Sequence, residues 1–489
     1  MLLLIVFLPI IASAALLLGA PARATALGAS AITLVLSVLA FFDYDHAQAG
    51  FAYVRSFPIS TDLRLNFAVG ADGLSLTMIL LSSVVLLAAV WFTGKVDRYE
   101  NAFYACLLLI AAGAIGAFAS LDLLFFYAFH ELALIPTFLL IGIWGSGNRR
   151  AAAWKVTIYL ALGSFVLLIG LIMLYRALPA ATRTFDLRAI QAAASAGQIA
   201  PAMQSPIYLW LLAGFGTLIS LVPFHTWAPE AYASAPAPAA MLHAGVLKKF
   251  GLYGLLRIAL PMLPDAVRQW SNLLLVLLLA NIIYIGLATT AQRRLDWMLG
   301  YSSVMHMGYI FLGIVSVNVL GATGAALLMF AHGISIALLF GITGELRKRV
   351  PTLELDALGG LARTMPIASF AFGLGAFAAI GLPGFANFAA EIMVFFGAFR
   401  NGFDFQHFHF FQWATLLALW GVVISAVYLL RAYRRIFWGT SAEPAAVPDI
   451  SFGLRLPVTL LVASSLFFGF FPQTLIERVA PTFRTHLSK

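Results

Sequence analysis

The chain has 489 residues, 62% hydrophobic and only 10% charged, with a mean hydropathy of +0.96, which describes a polytopic membrane protein with no soluble domain left over. Its net charge of +9 comes from basic residues scattered singly through short connections, a pattern that reports topology and argues against a nucleic-acid face. One cysteine, Cys106, lies in an apolar run, so neither a disulfide framework nor an iron–sulfur or zinc site is expected.

The opening stretch MLLLIVFLPIIASAALLLG lacks a cationic start and reads as a retained transmembrane helix rather than a cleaved leader. Apolar runs of about 20 residues, long enough to cross hydrocarbon, centre near Val6, Val35, Leu86, Leu109, Phe129, Phe165, Leu212, Val246, Leu275, Phe311, Leu328, Gly375, Gly421 and Ala463, about fourteen in all. The odd-numbered connections hold sixteen Lys and Arg residues, among them Arg149, Arg347 and Lys348. The even ones and the tail hold eleven, among them Arg55, Arg257 and Lys489, so the positive-inside rule places both termini outside.

The fifth run, Leu121–Trp144, carries His130 and Glu131 near its middle. A carboxylate there costs roughly 2.5 to 3.5 kcal/mol on insertion scales, so it is expected to face a protein interior or a water file. Pro136 removes the N–H that the Leu132 carbonyl would accept. In the seventh run, LWLLAGFGTLISLVPFHTWAPE, Pro223 interrupts the helix just before His225; in the twelfth, GLPGFANFAAE sets Gly381, Pro383 and Gly384 ahead of Glu391. Broken helices are tolerated where they line a cavity, and two breaks in corresponding places suggest an internal repeat of about five helices.

Lys248 and Lys249 lie within the run from Pro238 to Ile258 and read either as snorkelling side chains or, from their central position, as intramembrane cations. His243, His306 in YSSVMHMGY and His332 in FAHGIS complete the intramembrane titratable set, and each taken singly is more often a hydrogen-bonded structural residue than a proton carrier. Glu131, Lys249, His306, His332 and Glu391 fall on five separate expected helices. A row of acids, bases and waters across the membrane plane is therefore geometrically open, and proton transfer needs one, because each hop spans a hydrogen bond or a single water.

The stretches VGADGLSL, the Glu131 helix with IGIWG and NRRAAAWK, LVPFHTWAPEA, GVLKKFGLYGLLR, YSSVMHMGY, AHGIS, GLPGFANFAAE and AVYLLRAYRRIFWG resemble the antiporter-like subunits of respiratory complex I over nearly the whole chain. Within that group the chain most resembles subunit M of NADH-quinone oxidoreductase, since Glu391 stands where L and N subunits usually have lysine. An L subunit would also continue into a long lateral helix, for which no residues remain. The resemblance implies an all-α polytopic fold of about fourteen helices, with two inverted five-helix repeats and two discontinuous helices. Residues 1–100 would form the first three helices, 101–260 and 271–440 the two repeats, and 441–489 the final helix and tail.

The resemblance also implies proton pumping driven by NADH-to-quinone electron transfer in other subunits, with no cofactor or metal in this chain. Partners would be L-type and N-type neighbours in the membrane arm, in a bacterial inner membrane. Glu131 would be the charged partner on the fifth helix, Lys249 the central proton carrier, His306 and His332 the relay, and Glu391 the exit-side group. One departure stands out: the seventh-helix lysine that pairs with the glutamate, seven residues before His225, is here Leu218. The basic pair before the tenth helix is replaced by RRLDWML, and His130, His243 and Lys248 are polar where the family pattern is not. Lys248, then His130 and His243, are the expected compensating cations for Glu131. The alternatives are a weakly conducting structural spacer, or a subunit of an Mrp-type cation/proton antiporter or membrane-bound hydrogenase.

Overall fold

The computed structural model describes residues 1–48, 50–60, 64–402, 404, 407–440 and 447–487; Lys489 and residues 441–446 of the expected last unit lie outside the described residues. Helices α1 (Leu2–Leu17) and α2 (Ala22–Asp43) lead into an antiparallel hairpin of β1 (Ala52–Ser60) and β2 (Leu65–Ala71), with Ala52 opposite Ala71 and Phe57 opposite Phe67. The all-helical reading omits this hairpin. Its strands span only nine and seven residues and do not alternate in burial, a far weaker signal than a 20-residue apolar run.

Strand β2 runs into Asp72, whose carboxylate accepts the Ser75 N–H at 3.0 Å and caps α3 (Gly73–Phe92). Then come α4 (Glu100–Ala119), α5 (Leu123–Trp144) capped by Asp122, α6 (Arg149–Ala177), and a short α7 (Leu187–Ser195). The seventh apolar run is α8 (Pro201–Ile219) and α9 (Trp227–Ser234) on either side of a break. The eighth is α10 (Ala237–Leu242), α11 (Lys249–Gly254) and α12 (Leu260–Met262), separated by π turns at His243–Leu247 and Leu255–Ala259. Next are α13 (Pro264–Gln269), α14 (Ser271–Leu279), a π turn at Ala280–Tyr284, α15 (Ile285–Thr290), α16 (Leu295–Val315) and the 31-residue α17 (Val319–Arg349). The second broken helix is α18 (Pro366–Ile380) with α19 (Ala386–Phe399), followed by α20 (Phe410–Tyr433), α21 (Phe452–Phe470) and α22 (Gln473–Leu487). Where a tail was expected, α22 is a helix.

Among the described residues, eleven helical runs are long and apolar enough to cross a membrane; α1, α18 and α19 are apolar but shorter. Burial divides them. Helices α3, α4, α16 and α17 are enclosed almost all round, whereas α2, α6, α20 and α21 turn one side outward. The outward side of α6 shows Trp154, Ile158, Leu162 and Phe165 at helical spacing, which suits acyl chains or a neighbouring subunit.

Arg257, counted above with the connections, is instead buried in the second π turn. Its Nη1 and Nη2 donate to Asp72 at 2.8 and 2.5 Å, and its Nε to the Tyr253 hydroxyl at 3.2 Å. Thr482 of α22 donates to the same carboxylate at 3.0 Å, and Arg478 Nε to the Phe41 carbonyl at 2.9 Å. The last helix thus closes over the ends of α2, α3 and the π-turned run. Removing one partner of such a buried ion pair costs about 3 to 5 kcal/mol.

Candidate functional site

The centre of the molecule is the π turn that precedes Lys249. A π turn shifts the backbone ladder by one residue, and here the Lys248 N–H goes to the His243 carbonyl at 3.1 Å. The Ala244 carbonyl, which a regular α-turn would have given to that N–H, accepts instead from Lys249 Nζ at 2.7 Å. The same ammonium nitrogen lies 2.9 Å from His332 Nδ1 on α17, with no part of Lys249 exposed. Lys249 is therefore an intramembrane group held by the Ala244 carbonyl and the His332 ring, and its long side chain does not reach an interface.

From His332 the polar groups continue toward the second break. The His332 and His306 rings are 5.5 Å apart, and His306 and Tyr309 5.7 Å apart. His306 Nδ1 faces the Ser302 carbonyl at 2.8 Å and Nε2 the Ala379 carbonyl at 2.9 Å. Ala379 belongs to the last turn of α18, where carbonyls have no helical partner, and Pro383 four residues on has no N–H to offer. The break creates an acceptor and His306 takes it.

Glu391 on α19 is buried against that break. A Cβ at Gly381 would crowd its Oε2, the movable end of the side chain, and Gly381 adopts φ +83°, a conformation that favours glycine. Among the described residues the Glu391 Oε1 has no hydrogen-bond partner, nor do the Tyr309 hydroxyl and the Asn387 side-chain amide one turn earlier on α19. The carboxylate is thus buried inside the protein rather than turned to lipid. Lys249, His332 and His306 adjoin in that order, and Glu391 is buried at the same break whose Ala379 carbonyl His306 faces. The first link is a hydrogen bond, and the remaining links need ring rotation or a bridging water.

Glu131 is not in that series. It is half-buried and accepts a short hydrogen bond from Ser164 Oγ of α6, with the Tyr127 phenol also against it, and among the described residues it forms no ion pair. Leu218 packs beside the same spot, since a Cβ at Gly163 would meet Thr217 at 2.8 Å and Leu218 at 3.4 Å. The expected compensation by Lys248 is not formed: its Nζ lies 5.3 Å from the centroid of the Tyr232 ring. The π turn accounts for this, because it rotates the run just where the two lysines project. His130 stacks on Phe250 at 4.1 Å and 9°, while His243 lies between Trp227 and Tyr232, each 5.5 Å away. His225, at the start of α9, is next to Tyr284.

Sequence reasoning missed Asn281, Ser164, Tyr309 and the Asp72–Arg257 pair. Asn281 is fully buried and accepts the Val222 N–H at 2.8 Å while donating to the Ser220 and Val304 carbonyls at 3.2 and 3.0 Å, pinning the first break. Its signal was a lone amide in the apolar run LLLVLLLANIIY. Asp72 was visible in VGADGLSL but had no assigned partner.

Residues 120–417 match the family described as NADH:quinone oxidoreductase/Mrp antiporter, TM. The chain is similar to NAD(P)H-quinone oxidoreductase chain 4-3 of Nostoc sp., 37% identical over 90% of this chain and 78% of that one. It is similar also to chain 4 3 of Trichormus variabilis, 33% identical over 97% and 88%. Among solved structures, a chain of respiratory complex I from Thermus thermophilus superposes with a TM-score of 0.90 at 28% identity, covering all of both chains. A chain of the Mrp complex from Dietzia sp. superposes at 0.84 with 20% identity over 99% and 97%, a likeness of fold alone. With more than half of its length inside that match, the chain belongs to the NADH:quinone oxidoreductase/Mrp antiporter transmembrane family.

Proposed function

We propose that the chain is an M-type membrane-arm subunit of NADH-quinone oxidoreductase that moves protons along Lys249, His332, His306 and Glu391. Electrons pass from NADH to quinone in other subunits, and this chain holds no cofactor of its own. The observation that carries the reading is the direct 2.9 Å contact between Lys249 Nζ and His332 Nδ1, continued by the His332–His306 pair to the broken helix that holds Glu391. Lysine is suited to this centre because its charge responds to burial and to neighbouring groups. About fourteen crossings in two inverted repeats, both termini on the outer face of a bacterial inner membrane, and L-type and N-type neighbours complete the assignment.

The test is Lys249→Ala in the assembled complex, with NADH-driven proton uptake measured in inverted vesicles. Protons moved per NADH should fall; an unchanged ratio would overturn the role. The spacer reading draws on one observation, the absence of an ion pair at Glu131 beside Leu218 among the described residues. It predicts the unchanged ratio.

A further inference from the structure

Among the buried side chains of the N-terminal half whose polar atoms no group among the described residues satisfies are His130 and His243, at both ring nitrogens, Lys248 at Nζ and Tyr232 at its hydroxyl. Three of them are contiguous. Lys248 Nζ is 5.3 Å from the Tyr232 ring centroid, and the Tyr232 and His243 rings are 5.5 Å apart. Buried groups of this kind are costly unless ordered water completes their hydrogen bonds.

Two cavities reach the cluster from one side. The inner, of about 10 Å³, is bounded by Thr137, Tyr232, Ala235, Ala239 and His243. That is room for roughly one water. The outer, of about 710 Å³, is ringed by Lys95, Arg98, Arg149, Arg347 and Lys348. The two are lined by neighbouring stretches of chain: Ile141, Ala235 and Ala239 bound the inner cavity, and Gly142, Ile143, Pro236, Ala237 and Pro238 the outer.

We propose that this is the proton intake of the chain: protons pass from the basic vestibule through the Tyr232–His243 pocket to Lys248 and on to Lys249, and Glu131 lies off the route. His243 accepts a proton at the ring nitrogen nearer the pocket and releases one from the other to the neutral Lys248 amine. That ammonium then protonates Lys249, and only N–H bonds form and break. The mouth is net positive, with Lys95, Arg98 and Arg149 against Asp97 while Arg347 and Lys348 pair with Asp296 and Glu345, so it disfavours alkali cations, whereas a proton crosses it by transfer between waters and titratable groups; the substrate is H⁺ and not Na⁺. Glu131, with its hydroxyl partners on the α6 side, contributes no step.

The inference rests on the proton-translocating reading, and the test separates the two. In inverted vesicles bearing the assembled complex, His243→Leu and Ala239→Leu, which fills the inner cavity without removing a titratable group, should each lower protons per NADH as much as Lys249→Ala, and Glu131→Gln should leave the ratio near the parent's. An Ala237→Cys variant on a Cys106→Ser background should react with an anionic, membrane-impermeant methanethiosulfonate from the basic face and lose pumping on modification. Parent-like pumping by both His243→Leu and Ala239→Leu, a Glu131→Gln loss equal to that of Lys249→Ala, or an inert thiol at position 237 overturns the intake while Lys249 keeps its role. An unaffected Lys249→Ala overturns both.

Discussion

The two broken helices close in the same way but are held by different chemistry. At the first, Ser220 takes a left-handed conformation at φ 69° and the Leu221 N–H reaches back to the Gly216 carbonyl at 2.7 Å; at the second, Gly381 takes φ +83° and the Leu382 N–H reaches the Phe377 carbonyl at 3.1 Å. Both are Schellman-type ends. The first is then pinned by the Asn281 amide and the second by the His306 imidazole. An amide cannot change its charge and an imidazole can, so one break is scaffold and the other is exposed to the proton it handles.

The comparison breaks most readily at Asn281. Asn281→Leu leaves the Val222 N–H and the Ser220 and Val304 carbonyls without the amide, a loss on the order of 3 kcal/mol or more. The complex should fail to accumulate with this subunit on native gels, and normal accumulation would show that the pin is dispensable. Gly381→Ala should cost about 1 to 2 kcal/mol from the left-handed backbone and push the Glu391 carboxylate from its place, lowering both the thermal midpoint and protons per NADH. His306→Gln sharpens the contrast: the Ala379 carbonyl keeps an N–H donor, so stability should change by less than about 1 kcal/mol while pumping falls. A midpoint that drops with pumping intact would reverse the assignment.

At the first break, Ser220→Gly should be neutral or stabilising by up to about 1 kcal/mol, because glycine adopts positive φ at no steric cost. The smallest effect lies outside the spans. Asp122, which caps α5, is pushed up to about 6, chiefly by burial and further by Asp186, against the pull of the Phe125 and Leu124 N–H groups. A carboxyl raised in the folded state favours folding most below its unfolded value near 4, and that contribution is lost as pH rises through about 6. Asp122→Asn should flatten the fall in thermal midpoint between pH 4 and 7.

The breaks and the buried ions were legible because Pro223, Pro383, Lys249 and Glu391 have few tolerable places in an apolar run. The Lys248 direction was not. Neighbouring residues on a regular helix diverge by about 100°, but the π turn at His243–Leu247 resets where each points, and nothing in HAGVL announces it. Arg257 looked like a connection residue because a cation near the end of an apolar run reads the same whether it meets water or a distant carboxylate. Asp72 lies 185 residues away in sequence, a separation no local pattern spans.

His306 faces two carbonyls with a ring that, when neutral, carries one N–H. Satisfying Ala379 then deprives Ser302, and satisfying Ser302 releases Ala379 and with it the end of α18. Tautomer and backbone are two coordinates of a single equilibrium: at about 1 kcal/mol per hydrogen bond, moving the proton across the ring shifts the hold on the broken helix by a factor of about five. By reciprocity, any partner that tugs on α18 from outside biases which nitrogen holds the proton, so mechanical work at the subunit's rim and proton position at its centre become exchangeable quantities.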